Sequence, residues 1–165
     1  MRVDRRVFLL TAGAAAACWK RERSSLTRAA QYLWAQQAAD GGFHSATYGL
    51  LRSGQSLTPF VLGALLRVPD TIVPPQAGAV DRAIAFIGKH TNLDGAVGVT
   101  GGDADYPNYA TALTVDALVG AQRRLAPVAH RAKAGSWTAA IAPMVAQLRT
   151  QQVREAKGWT REHTA

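Results

Sequence analysis

Apolar positions recur at helical spacing in three separate places along the chain. Leu26, Ala29, Ala30 and Leu33 lie at i, i+3, i+4 and i+7, which sets them on one face of a helix. Val80, Ala83, Ile84 and Ile87 fill the same template, and so do Ile141, Met144, Val145 and Leu148. From Leu33 to Ile87 is 54 residues and from Ile87 to Leu148 is 61. That spacing is at or somewhat beyond the upper end of common helical repeats. The connector APVAHRAKAGSW, residues 126–137, carries a proline, a glycine and basic residues. It is expected to be a loop that accounts for the longer second step.

Each stripe is followed by a glycine ending: Asp40-Gly41-Gly42-Phe43 after the first, Asp94-Gly95 after the second and Gly158-Trp159 after the third. A helix that reverses needs a residue free to take positive φ just past its end. The aspartates can bond amides of such a turn, and Phe43 or Trp159 is expected to fold back on the helix layer. Gln36-Gln37 and Gln151-Gln152 carry amide groups able to tie neighbouring units together. Beyond the first two turns come Leu57, Phe60, Val61, Ala64 and Leu65, then Ala110, Leu113, Thr114, Ala117 and Leu118, each member displaced by 53. Pro59 suits the first turn of a helix, where its missing amide has no partner to lose. The unit is therefore an outer helix, a glycine turn, a short extended link, an inner helix and a loop. The fold class is all-α.

Composition agrees with this reading. With 165 residues, 48% of them apolar and 18% charged, the chain has the make-up of one globular domain. The net charge is +8, but basic residues such as Arg52, Arg67, Arg82, Lys89, Arg149 and Arg154 sit singly and read mostly as a solvated surface, so no nucleic-acid partner is expected. Residues 1–18 differ from the rest: Arg5-Arg6 precedes an uncharged run from Val7 to Ala17 and then Cys18. This is the pattern of an export signal, too short to span a membrane, with an order similar to a bacterial twin-arginine leader. Cys18 is the sole cysteine and excludes an intrachain disulfide. It stands where a lipoprotein is cleaved and acylated, and cleavage after an Ala-x-Ala is the alternative. Residues 19–165 then form the mature domain, in the periplasm or tethered to a membrane through that signal or lipid.

The order Tyr32-Leu33, Gln36-Gln37, Asp40-Gly41-Gly42-Phe43 resembles the glutamine-tryptophan repeat of the terpenoid cyclases of the squalene-hopene cyclase kind and of the related protein prenyltransferase β subunits. The similarity runs from Leu26 to Trp159. It implies an α/α toroid, with inner helices around an apolar cavity, outer helices behind them and an isoprenoid or other apolar ligand. About two helix pairs and one outer helix are present, fewer than the family's closed ring contains. The resemblance therefore implies a partial toroid, either a fragment of a longer protein or a protomer completed by a second chain.

The family's chemistry is not matched residue by residue. Its class II cyclases protonate an alkene with an Asp-x-Asp-Asp motif, for which the nearest text is Asp103-Ala104-Asp105-Tyr106. Alignment through Thr111 and Ala117-Leu118 sets Pro107-Asn108-Tyr109-Ala110 there instead. The zinc site of the prenyltransferases needs a cysteine that this chain has only in its leader, so no metal or other cofactor is expected. Asp103 and Asp105 are the candidate catalytic pair, for a cyclase-like or polysaccharide-cleaving enzyme, with solvated turn formation as the alternative. His44, Tyr48, Arg52, Gln55, Tyr106 and Tyr109 are candidate ligand-binding groups at a rim. The cavity itself is expected to be lined by Leu57, Phe60, Val61 and Leu113. Function is thus expected to be apolar-ligand binding without catalysis, with an enzyme fragment or a protein-interaction scaffold as alternatives.

Overall fold

The computed structural model describes residues 24–101, 104–125 and 131–152. The leader with Cys18, the carboxylate of Asp103 and the third ending at Gly158-Trp159 lie outside them. The described residues form five α-helices and no strand: α1 (24–35), α2 (Leu57–Leu65), α3 (Ala79–Lys89), α4 (Pro107–Leu125) and α5 (Arg131–Gln151). A 3₁₀ turn at Gly49–Leu51 interrupts the irregular link into α2. Among α2 to α5 the most extensive packing is α2 on α4, followed by α4 on α5.

α2 carries no charged residue and buries Thr58, Pro59, Val61, Leu62, Gly63 and Leu65. α3 is amphipathic, with Val80, Ala83, Phe86 and Ile87 buried and Asp81, Arg82 and Lys89 outside. The larger core cluster joins Trp34 of α1 and Phe43 to Leu62 and Leu65 of α2 and to Ala83 and Ile87 of α3. A smaller one holds Val97, Ala110, Leu118 and Met144. Phe43 is buried and lies 6.5 Å from Trp34, centroid to centroid, so the expected fold-back of the residue after the turn is present.

The first two turns share their main-chain bonds. Gln36 N–H donates to the Leu33 carbonyl (3.0 Å) as His90 N–H does to Ile87 (3.0 Å). Ala38 N–H donates to Gly42 (2.9 Å) as Asn92 N–H does to Ala96 (2.9 Å), and Gly41 to Ala38 (3.0 Å) as Gly95 to Asn92 (3.0 Å). All three pairs are displaced by 54 residues, which places Leu33 and Ile87 at equivalent positions. Next, Phe43 N–H donates to Thr58 Oγ1 (2.9 Å), and Val97 N–H to Thr111 Oγ1 (3.0 Å). Each turn is thereby tied to its own inner helix.

Each turn also docks on the outer helix that follows. Gly41 (φ +91°) sits so close that a Cβ there would lie 2.4 Å from the Arg82 carbonyl oxygen in α3. Gly95 (φ +83°) has the same relation to α5, where a Cβ would lie 2.6 Å from the carbonyl carbon of Pro143. Gln37 crosses the first joint, its Nε2 donating to the carbonyls of Gly41 (3.0 Å) and Ala79 (2.9 Å). Arg82 Nη2 in turn donates to Gln37 Oε1 (3.2 Å).

Two expectations need correction. The stretch Arg131–Trp137, expected as loop, is the front of α5, because the Arg-Ala-Lys-Ala run has high helix propensity and a single glycine costs only about 1 kcal/mol. The inward face of α1 is also rotated from the expected stripe. Ala30 and Trp34 are buried, whereas Leu26 is 41% exposed and Ala29 is exposed.

Gly95→Ala adds a Cβ at positive φ and against main chain, so it is expected to destabilise the protein by about 2 kcal/mol. Gly88→Ala, where a Cβ meets nothing within 4 Å inside α3, is expected to stabilise by about 0.5 kcal/mol. Urea unfolding midpoints of the two variants check both.

Candidate functional site

The most apolar opening among the described residues lies where α3 and α5 both lean on α4. Ile84 and Ile87 form one wall, Leu118 the back, and Trp137, Ala140 and Met144 the other wall. The cleft has a volume of about 440 Å³, and Thr91, Asn92, Gly95 and Pro143 also line it. It exists because the joint holds α3 and α5 at one end while residues as small as Gly88 and Ala140 leave the gap between them unfilled. Trp137 and Met144 are almost wholly buried in its wall. Trp137, expected at the end of the 126–137 loop, is instead helical. The signal was present, since Trp137, Ala140, Ile141 and Met144 continue the α5 stripe backward at i, i+3, i+4 and i+7.

Two other openings are polar. One, of about 400 Å³, is lined by Ser53, Gln55, Lys89, His90 and Thr100. The other, of about 330 Å³, lies between the C-terminal ends of α2 and α4 and is lined by Arg67, Asp116, Arg123 and Arg124. None of the three is lined by Leu57, Phe60, Val61 or Leu113, the cavity residues expected from sequence. Val61 is instead part of the core where α2 meets α4, and Phe60 stands 50% exposed on the open side of α2.

Asp105 is buried just ahead of α4 and grips the start of α2. Its carboxylate accepts from Ser53 Oγ (2.6 Å), Ser56 N–H (3.1 Å) and Ser56 Oγ (2.5 Å). At the other end of α2, Arg124 Nη1 donates to the carbonyls of Leu65 (3.1 Å) and Leu66 (2.9 Å), and Nη2 is paired with Asp70. A nine-residue helix is too short to persist alone. Here an anion holds its N-terminus and a cation its C-terminus, the signs its dipole favours, and both come from the flanks of α4. The two clamps also show that α2 and α4 run parallel.

The other candidates divide between support and surface. Gln55 is buried, and its amide is used on both sides by Thr100: Nε2 donates to the Thr100 carbonyl (2.7 Å), and Oε1 accepts from Thr100 N–H (3.2 Å) and Oγ1 (2.8 Å). It straps the lead-in of α2 to the loop before α4. His44 lies with Nε2 3.2 Å from both Asp40 carboxylate oxygens and Nδ1 3.0 Å from the Arg52 carbonyl. The structure thus brings His44 and Arg52 together through the arginine's main chain. The ring of His44 meets that of Phe86 edge-on at 5.5 Å, and Phe86 stacks on His90 at 4.2 Å. Burial pushes the Asp40 carboxyl up, but the Gly42 N–H, the bond and charge of His44 and the charge of His90 together hold it below the usual carboxylate range.

Tyr48, Tyr106 and Tyr109 are all more than half exposed. Tyr106 is the one described non-glycine residue with positive φ (+46°), lodged between the anchored Asp105 and Pro107. Among the described residues no three His, Cys, Asp or Glu side chains converge as metal ligands, and no helix is long and apolar enough to cross a membrane. Comparison with known proteins finds no matching family model, no matching curated protein and no matching solved structure.

Asp105→Ala removes the anchor of α2 and leaves Ser56 N–H unmet, so a loss of about 2 kcal/mol in urea unfolding is expected. The Asp40 carboxyl has a lower pKa folded than unfolded. Its stabilising contribution is therefore complete above the unfolded value of about 4 and is lost as pH falls through the folded one. Wild-type protein is accordingly expected to lose more stability than Asp40→Asn between about pH 5 and pH 2, as read from urea midpoints across that range.

Proposed function

We propose that this chain is an exported helix-pair repeat protein of the α/α-toroid type that holds an isoprenoid-like apolar chain and performs no chemistry on it. The observation that carries this reading is the apolar cleft of about 440 Å³ between α3 and α5, backed by α4. Its volume lies within the range of small-molecule sites, about 300–1,000 Å³, and its lining is mainly aliphatic and aromatic with Thr91 and Asn92 as the polar members. The two equivalent glycine turns and their equivalent joints support the repeat architecture. Asp105 supports the noncatalytic half of the reading, because each of its oxygens already serves the fold. Export rests on the twin-arginine-like leader, and a tether on Cys18.

Trp137 in the cleft wall supplies the assay. Titration with farnesol is expected to change tryptophan fluorescence saturably, with a Kd on the order of micromolar. Trp137→Phe is expected to remove the signal, and Ala140→Phe, which places a ring in the gap, to weaken binding at least about tenfold with helical circular dichroism unchanged. Absence of saturable binding up to the solubility limit of farnesol would overturn the reading.

A further inference from the structure

The cleft between α3 and α5 lies, at the second joint, where packed side chains fill the first. The register allows a comparison residue by residue. Gln37 N–H donates to the Trp34 carbonyl (3.3 Å) as Thr91 N–H does to Gly88 (3.3 Å), so Gly88 stands 54 residues after Trp34 at the equivalent place. Trp34 is 4% exposed and shares a core with Ala30 of its own helix and with Val80 and Ala83 of α3. Gly88 leaves that space open: it lines the cleft, and a Cβ there meets nothing within 4 Å. The crossing bond differs as well. Gln37 spans the first joint to the Ala79 carbonyl (2.9 Å), whereas its equivalent, Thr91, turns its hydroxyl back to the Ile87 carbonyl of its own helix (2.9 Å). Two groups that fill the first joint are thus exchanged for smaller ones at the second, and the apolar walls so exposed lack the dispersion contacts that a bound molecule restores.

Asn92 adds a polar group to this lining. It is half-buried, and its Oδ1 accepts from Ala96 N–H (2.8 Å), which fixes the amide; Nδ2 has no partner among the described residues. The turn does not require an asparagine here. In the first turn Ala38 holds this position, and Gly42 N–H, the equivalent of Ala96 N–H, donates to Asp40 Oδ1 (2.9 Å). Asp94 stands at the matching place in the second turn and is exposed. Asn92 therefore takes over a bond that the first turn gives to an aspartate, and brings a spare N–H donor to the cleft it lines. No described residue lining the cleft is charged. An ionised head group would lose its hydration there without a counter-charge, whereas a carbonyl oxygen needs only the donor that is offered.

We propose that the cleft takes a neutral apolar molecule whose body fills the space that Trp34 fills in the first joint and whose carbonyl oxygen accepts from Asn92 Nδ2. This rests on the cleft being a ligand site, and it adds the class of head group and the residue that selects it. Asn92 is then the specificity-determining residue, and Gly88 the one that makes room.

The test titrates the full chain with geranylacetone, with the hydrocarbon of the same skeleton and with geranic acid, read by Trp137 fluorescence. Wild type is expected to bind the ketone at least about tenfold tighter than the hydrocarbon or the ionised acid. Asn92→Ala gives the second turn the residues of the first, alanine followed two positions on by aspartate, so helical circular dichroism is expected to hold while the preference for ketone over hydrocarbon vanishes. Gly88→Trp, which places an indole where Trp34 stands in the first joint, is expected to abolish binding of both with helical circular dichroism unchanged. Equal binding of ketone and hydrocarbon by wild type, or a preference that survives Asn92→Ala, would overturn the role of Asn92 and leave an apolar site without a selected head group. Geranic acid bound as tightly as the ketone would overturn the neutral head. Saturable binding of none of the three sinks the ligand-site reading itself, and wild-type affinity in Gly88→Trp puts the bound molecule outside the cleft.

Discussion

The fold depends on main chain meeting main chain at two places. At Gly41 and again at Gly95 the chain leaves a helix, turns with positive φ, and passes so close to the next outer helix that no side chain fits between. A contact between backbones fixes distance and direction more strictly than one between side chains, which can repack. From it follow the placement of α3 behind the first unit and of α5 behind the second, and beside it each turn is tied to a threonine of its own inner helix.

Polar groups do the second part of the work. Asp105 and Gln55, candidate site residues by sequence, and Arg124 with them, are each engaged in holding α2 or the loops beside it. A short apolar helix gains its permanence from groups that lie about 50 residues further along the chain. The second unit therefore stabilises the first as much as the reverse. Asp105 and Gln55 are engaged in structure, while the cleft between α3 and α5 is lined mainly by apolar side chains.

Much of this was legible in the residues themselves. Helix content, the glycine turns, the equivalence of Leu33 and Ile87, the fold-back of Phe43 and the bridging role of Gln37 all follow from periodicity and turn chemistry, which are local. What was not legible depends on how helices meet. The burial of Trp34 in place of Leu26 turns on which side of α1 faces α3, and the exposure of Phe60 turns on which side of α2 faces α4. Trp137 was lost for a different reason. The proline, glycine and basic residues of the connector suggest a loop, and helix propensity prevails from Arg131 onward. Asp105 could be read as an acid from its type alone, but its three donors come from a segment some 50 residues earlier, and no spacing rule reveals them.

The joint has a consequence for how such a chain can lengthen. Because the seam asks for a glycine on one side and ordinary helical main chain on the other, a block of 54 residues copied in tandem brings both halves of its own seam with it. Neither neighbour has to change its sequence to accept the insertion. The Gly41 and Gly95 turns accordingly share their main-chain bonds although their side-chain bonds differ, Asp40 accepting from Gly42 N–H in the first and Asn92 from Ala96 N–H in the second.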